Sequence, residues 1–191
     1  MKRTSRLATV FMYMSIWMCV LCFWSQASWG QGSPAGGELT VALSSLSTET
    51  LDPALGGHIV KYYMSLIFDY LVGTTPDGKL SPASGIATKW EMTPDKNGWV
   101  FELRQGVKFH NGEELTAEDV KASLQRGIGP ISTTGYAGAL RSSIKEIEIV
   151  NPHKLIIHTK APSIIIPPYL SRGLSTEGVI MPSAPRSVVM E

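Results

Sequence analysis

Trp99 to Arg126, WVFELRQGVKFHNGEELTAEDVKASLQR, decides the fold class. Trp99, Phe101 and Leu103 alternate with Val100, Glu102 and Arg104, the period-two pattern of a strand with one buried face. Gln105-Gly106 interrupts it, and Val107 and Phe109 resume the alternation, predicting a second strand. Asn111-Gly112 is a tight-turn signal, because both residues tolerate positive φ. A helix should then open at Thr116 as N-cap, with Asp119 three residues on as a variant of the capping box. Glu118 and Asp119 place negative charge at the positive end of the helix dipole. Leu115 and Val120 stand at the positions of a hydrophobic staple, and Gly127 is expected to stop the helix as its C′ residue. The stretch reads as an ordered α/β unit and carries no catalytic chemistry of its own.

Outward from it, TPDKNG at 93–98 is a hairpin loop between the Trp99 strand and a short strand carrying Trp90 and Met92 on one face. Pro76-Asp77-Gly78 is a turn, and 38–44 alternates as a half-buried strand. Ile59 to Leu71 sets Ile59, Tyr62/Tyr63, Leu66/Ile67 and Tyr70/Leu71 at helical spacing. That predicts an amphipathic helix with its aromatic stripe in the core, stopped by Gly73. From Gly127 to Ser143, glycines and Pro130 predict a long loop or a broken helix. Ile147/Ile149 and Leu155/Ile157, separated by Asn151-Pro152-His153, predict a β-hairpin. Prolines around Ile164–Ile166 leave room only for a short element, and 173–191 is turn-rich.

The chain has 191 residues, 43% hydrophobic and 17% charged, which fits one globular domain or at most two. Lys2, Arg3 and Arg6 precede an apolar run from Leu7 to Trp24, followed by small residues at Ser25, Ala27, Ser28 and Gly30. This is the layout of a secretory signal peptide over 1–30, cleaved after Ala27 or after Gly30; an uncleaved membrane anchor is the alternative. The formal charge is +1, and removing the three leader cations leaves 14 basic against 16 acidic residues, a net of −2. No basic patch argues for nucleic acid. Both cysteines, Cys19 and Cys22, fall inside the leader, so their C-x-x-C spacing reads as part of an apolar run and not as a redox or metal motif. Residues 31–37 form a Gly/Ser/Pro lead-in.

No G-x-S-x-G, Walker or dinucleotide fingerprint occurs, and no His/Cys cluster has metal-ligand spacing. A secreted hydrolase therefore lacks its machinery, and neither an enzyme nor a cofactor is expected. The histidines stand at 58, 110, 153 and 158. His153 and His158 are conceivable as a metal pair, but a solvated pair fits better without a converging third ligand. Glu113-Glu114 and Glu118-Asp119 have the chemistry for acid/base work, yet a solvated turn and a helix N-terminus explain them more simply.

The run W-x-F-x-L-R-x-G-V-K-F-H-N-G-x-x-L-T-A-E-D-V from Trp99 to Val120 resembles the signature of the family 5 bacterial extracellular solute-binding proteins, the dipeptide-, oligopeptide- and nickel-binding receptors of ABC importers. Thr50 to Ala54 (TLDPA) and Leu80-Ser81-Pro82 through Trp90 match the corresponding segments. The resemblance implies an α/β fold with a mixed sheet and packed helices, over 38–191 an incomplete N-terminal lobe of a two-lobed periplasmic binding protein of the large, type II-like form. Family members are much longer, so the rest of the first lobe and the second would follow Glu191. It further implies a periplasmic, monomeric receptor for a peptide or other small molecule, working with an inner-membrane ABC permease. An uncleaved leader would instead tether it to the outer face of the cytoplasmic membrane. Gly56, Gly57 and His58, just after the LDP motif, occupy the place where peptide-binding members grip the ligand backbone. Tyr136 is the candidate for the aromatic ligand contact in the loop after the T-A-E-D-V helix. The signature does not choose between peptide, nickel, haem and sugar ligands. A non-transport module built on the same scaffold is the competing reading.

Overall fold

The computed structural model describes residue 40, residues 50–56, 60–174 and 176–183. The leader, the lead-in and all but Thr40 of the strand expected over 38–44 lie outside the described residues. Below, all but Thr40 belong to the unit spanning 43–191.

The centre is a four-stranded antiparallel sheet of β3 (Ala87–Met92), β4 (Gly98–Leu103), β6 (Lys154–Thr159) and β5 (Ile144–Asn151), in the order β3-β4-β6-β5. Two rows of paired residues cross it: Trp90–Phe101–Leu155–Ile149 and Met92–Trp99–Ile157–Ile147. Paired residues of adjacent strands point to the same face, so the alternation of all four strands delivers one apolar face. Phe101, Leu103, Leu155, Ile157 and Ile147 are buried there, each worth roughly 1.5–3 kcal/mol of transfer free energy. The other face carries Glu91, Glu102, Lys154, Glu148 and His158, with His158 Nε2 2.6 Å from Glu148 Oε2. Trp99 donates its indole N–H to Ser163 O at 2.7 Å. The 93–98 hairpin turns as predicted, with Lys96 at φ 61.

Helix α2 (Ala117–Gly127) covers the sheet with Val120 and Leu124 in the same core cluster as Leu115. Its start is as expected. Asp119 Oδ2 accepts the N–H and the hydroxyl of Thr116, each at 3.0 Å. Asp119 Oδ1 accepts Ser183 N–H at 2.8 Å, a long-range tie that the capping pattern does not announce. Burial by itself would raise the Asp119 pKa; the Ser183 and Thr116 bonds outweigh it and hold the carboxyl below its ordinary value.

Three local expectations are corrected. Val107 and Phe109 do not form a strand: the segment folds on itself through Leu115 N–H to Val107 O and Phe109 N–H to Glu113 O, leaving one bridge between Lys108 and Glu114. Only Gly112 takes positive φ there, whereas Asn111 acts through its side chain, which accepts Glu113 N–H at 3.1 Å. Gly127 is not a left-handed cap but the last helical residue. Its lack of a side chain lets the backbone of Glu177 pass, since a Cβ there would lie 3.1 Å from Glu177 O. Ile128 is the C-cap, two residues before Pro130.

The helix expected over 59–71 is the largest correction. Helix α1 covers only Lys61–Ile67 and buries only Met64, while Tyr62, Leu66 and Ile67 are 58%, 80% and 47% exposed. Tyr70 and Leu71 are buried, but as extended chain. Leu71 N–H donates to Gly178 O, and the carbonyls of Tyr70 and Leu71 accept from Ile86 and Ala87. Tyr70 bridges Val179, and Val72 bridges Ser171 in parallel. Gly73 is therefore no helix stop. It opens β1 (Gly73–Thr74), which pairs with β2 (Leu80–Ser81), and packs against the backbone of Ser84 and Gly85. After Gly127 the alternatives resolve into a loop followed by helix α3 (Ala137–Ser143), and Ile166–Tyr169 forms the one-turn helix α4.

Candidate functional site

The LDP segment is built by its own side chains. Thr50 Oγ1 accepts Asp52 N–H at 3.0 Å, and Asp52 Oδ1 accepts Ala54 N–H at 3.1 Å, bending the chain around Pro53. The Arg126 guanidinium, at the end of α2, forks onto the same carboxylate. Burial would raise the Asp52 pKa; Arg126 and the Ala54 N–H outweigh it and hold the carboxyl below its ordinary value.

The segment then meets the other loops. Thr133 N–H donates to Ala54 O at 2.9 Å, and the Thr176 hydroxyl donates to Pro53 O at 2.8 Å. Ala54, Thr133 and Tyr136 thus belong to one loop cluster at the C-terminal end of α2. Arg141 reaches back from α3 to the carbonyls just past the end of that helix, with Nε–H to Ile128 O at 2.8 Å and Nη2–H to Gly129 O at 3.1 Å.

Tyr136 is half-buried at the N-cap of α3. Its ring stands 4.4 Å from that of Tyr169 at 33°, a tilted aromatic pair, and its N–H donates to Glu177 Oε1 at 2.6 Å. Gly56 lies in the same cluster, and its need for glycine has a local cause: a Cβ there would fall 2.1 Å from Val60 Cγ2. Gly57 and His58 lie outside the described residues. Tyr169, Glu177 and Arg126 are the members that sequence reasoning missed. Tyr169 and Glu177 sit in proline- and turn-rich chain with no periodicity, and only the fold brings them to Tyr136.

The other chemical candidates resolve into local roles. Glu114 Oε1 accepts Gly106 N–H, Glu113 Oε2 accepts from Asn111 Nδ2, and His158 faces Glu148. Among the described residues no group of three or more His, Cys, Asp or Glu side chains is placed to hold a metal ion. A polar concavity lined by Thr88, Glu102, Arg104, Asn151, His153 and Lys154 shares no residue with the loop cluster.

An antiparallel sheet covered by helices, with loops gathered at one helix end, defines an α/β fold of the kind that carries binding residues on its loops. Residues 81–179 match the family described as bacterial extracellular solute-binding proteins, family 5, middle. The chain belongs to that family. It is 33% identical over 97 residues to the periplasmic oligopeptide-binding protein OppA of Haemophilus influenzae, covering 51% of this chain and 17% of that relative. It is 27% identical over 157 residues to the oligopeptide-binding protein OppA of Bacillus subtilis, covering 81% of this chain and 28% of the relative. Among solved structures, AgaA of A. tumefaciens R10 in complex with agropinic acid matches at 34% identity and a TM-score of 0.59, over 70% of this chain and 26% of that one. The chain thus spans between 17% and 28% of the length of these proteins.

Proposed function

We propose that this chain acts as the substrate-binding component of an ABC importer, taking up peptides in the periplasm and delivering them to an inner-membrane permease. The observation that carries the reading is the Thr133 to Ala54 hydrogen bond at 2.9 Å. It joins the LDPA segment, which leads into the stretch that the family resemblance assigns to the ligand backbone, to the loop of Tyr136, its candidate for the aromatic ligand contact. Peptide is preferred because the two relatives compared by sequence are named for oligopeptides. AgaA, solved with agropinic acid, shows that the same fold accommodates other small molecules.

Amide chemical-shift mapping with trialanine should perturb Ala54 to Gly56 and Tyr136, and glucose should not. Shifts confined to other surfaces, or elicited by glucose alone, would overturn the peptide reading.

A further inference from the structure

Two acidic side chains are buried among the described residues, Asp119 at 5% exposure and Glu177 at 0%. Asp119 uses both oxygens in capping α2 and tying down Ser183. Glu177 is different: Oε1 accepts Tyr136 N–H, while Oε2 is buried with no hydrogen-bond partner. An unpartnered buried carboxyl oxygen costs stability, and a well-packed apolar side chain in its place is often neutral or better. The main chain beneath it is locked. Gly127 packs on the Glu177 backbone, and a Cβ at Gly178 would lie 2.0 Å from Leu170 O. The side chain spans from the 176–179 turn to the start of α3, where it meets the residue whose ring packs on Tyr169.

We propose that Glu177 is a positioning residue: its carboxyl fixes the main chain at Tyr136 and so sets the Tyr136 ring against Tyr169 before any ligand arrives. The proposal deepens the peptide-binding reading and rests on it for its functional meaning. The test uses the whole chain labelled with fluorotyrosine, with the signals of Tyr136 and Tyr169 assigned from Y136F and Y169F and exposed Tyr62 as the control. Glu177→Gln keeps an acceptor oxygen and should leave the Tyr136 fluorine signal in place. Glu177→Leu removes the acceptor at similar volume and should shift or broaden the Tyr136 and Tyr169 signals without moving Tyr62. Trialanine binding should weaken about tenfold in Glu177→Leu, the equivalent of one hydrogen bond to a charged group, and hold within about twofold in Glu177→Gln. Should Glu177→Leu fail to fold, Glu177→Asp withdraws the acceptor by one methylene and takes its place. A folded Leu or Asp variant with an unmoved Tyr136 signal overturns the proposal, as does a Gln variant as perturbed as Leu. If the unmodified chain shows no trialanine response, the peptide reading fails while the fluorine spectra still decide the role of Glu177.

Discussion

The guanidinium of Arg126 reaches Asp52 across 74 residues of sequence, with Nε–H on Oδ1 at 3.2 Å and Nη2–H on Oδ2, so that the last turn of α2 holds the LDP segment by a two-point fork. The arginine side chain is 45% exposed and the aspartate 20%, which limits what the pair contributes. Arg126→Met should cost about 1 kcal/mol or less in urea denaturation, and the loss should shrink as salt is added. A salt-independent loss would mean that the arginine acts through packing alone.

Asp52 and Asp119 both have folded pKa values below the ordinary 3.8. The unfolded chain therefore takes up protons first as the solution is acidified. Their stabilisation is complete above 3.8 and disappears as pH falls through the depressed folded values. Denaturation free energies measured against pH should be level near neutrality and fall in that acid window. Asp52→Asn combined with Asp119→Asn should flatten the fall. An unchanged acid limb in the double variant would assign it to other carboxyls.

At the start of α2, Asp119→Ala leaves Thr116 and Ser183 without their shared acceptor, and a loss of about 2–3 kcal/mol is expected. Thr116→Ala should cost only about 1 kcal/mol, as for an ordinary cap. Equal losses would show that the Ser183 tie carries no weight. Thermal and urea denaturation of the two variants side by side settles the order.

The glycines should rank by cause. Gly178→Ala puts a methyl group 2.0 Å from a backbone oxygen and should cost about 3 kcal/mol or prevent folding. Gly112, at φ 86 with open space around it, should cost only about 1–2 kcal/mol when changed to Ala. The reverse order would contradict the close packing of Gly178 on Leu170.

On α1, Met64→Ala should cost about 2–5 kcal/mol, since Met64 is fully buried. Leu66→Ser and Tyr62→Ser should change stability by no more than about 0.5 kcal/mol. If Leu66→Ser destabilised as much as Met64→Ala, the stripe would be core after all.

Sequence reading succeeds here where the determinant is local. The strand alternation of Trp99 to Leu103, the hairpin of Ile147 to Ile157 and the Thr116 cap each rest on residues a few positions apart, and they stand as expected. It fails where a distant backbone supplies the partner. Tyr62 to Leu71 has helical spacing throughout, yet Tyr70 and Leu71 find Gly178, Ile86 and Ala87 as hydrogen-bond partners, and those bonds outweigh the local pattern. Gly127 looks like a helix stop, but the cause of its glycine is Glu177, 50 residues on in the chain (177 − 127). Of the loop cluster, Gly56 and Tyr136 were legible only through the family resemblance. Tyr169 and Glu177 were not legible at all, because neither carries a periodic or motif signal and their meeting with Tyr136 exists only in the folded chain.

The strand order β3-β4-β6-β5 also bears on how the lobe is assembled in time. β3–β4 and β5–β6 are hairpins closed by short turns, and each can zip from its own turn on the scale of about 1–10 μs. Joining β4 to β6 is another matter, because the chain from Arg104 to Ser143, with α2 and α3 inside it, must be drawn together first. That non-local seam is the expected rate-limiting step. Side chains that meet only across it, such as Phe101 and Leu155, should govern the folding rate, whereas the turn residues of 93–98 should govern it little.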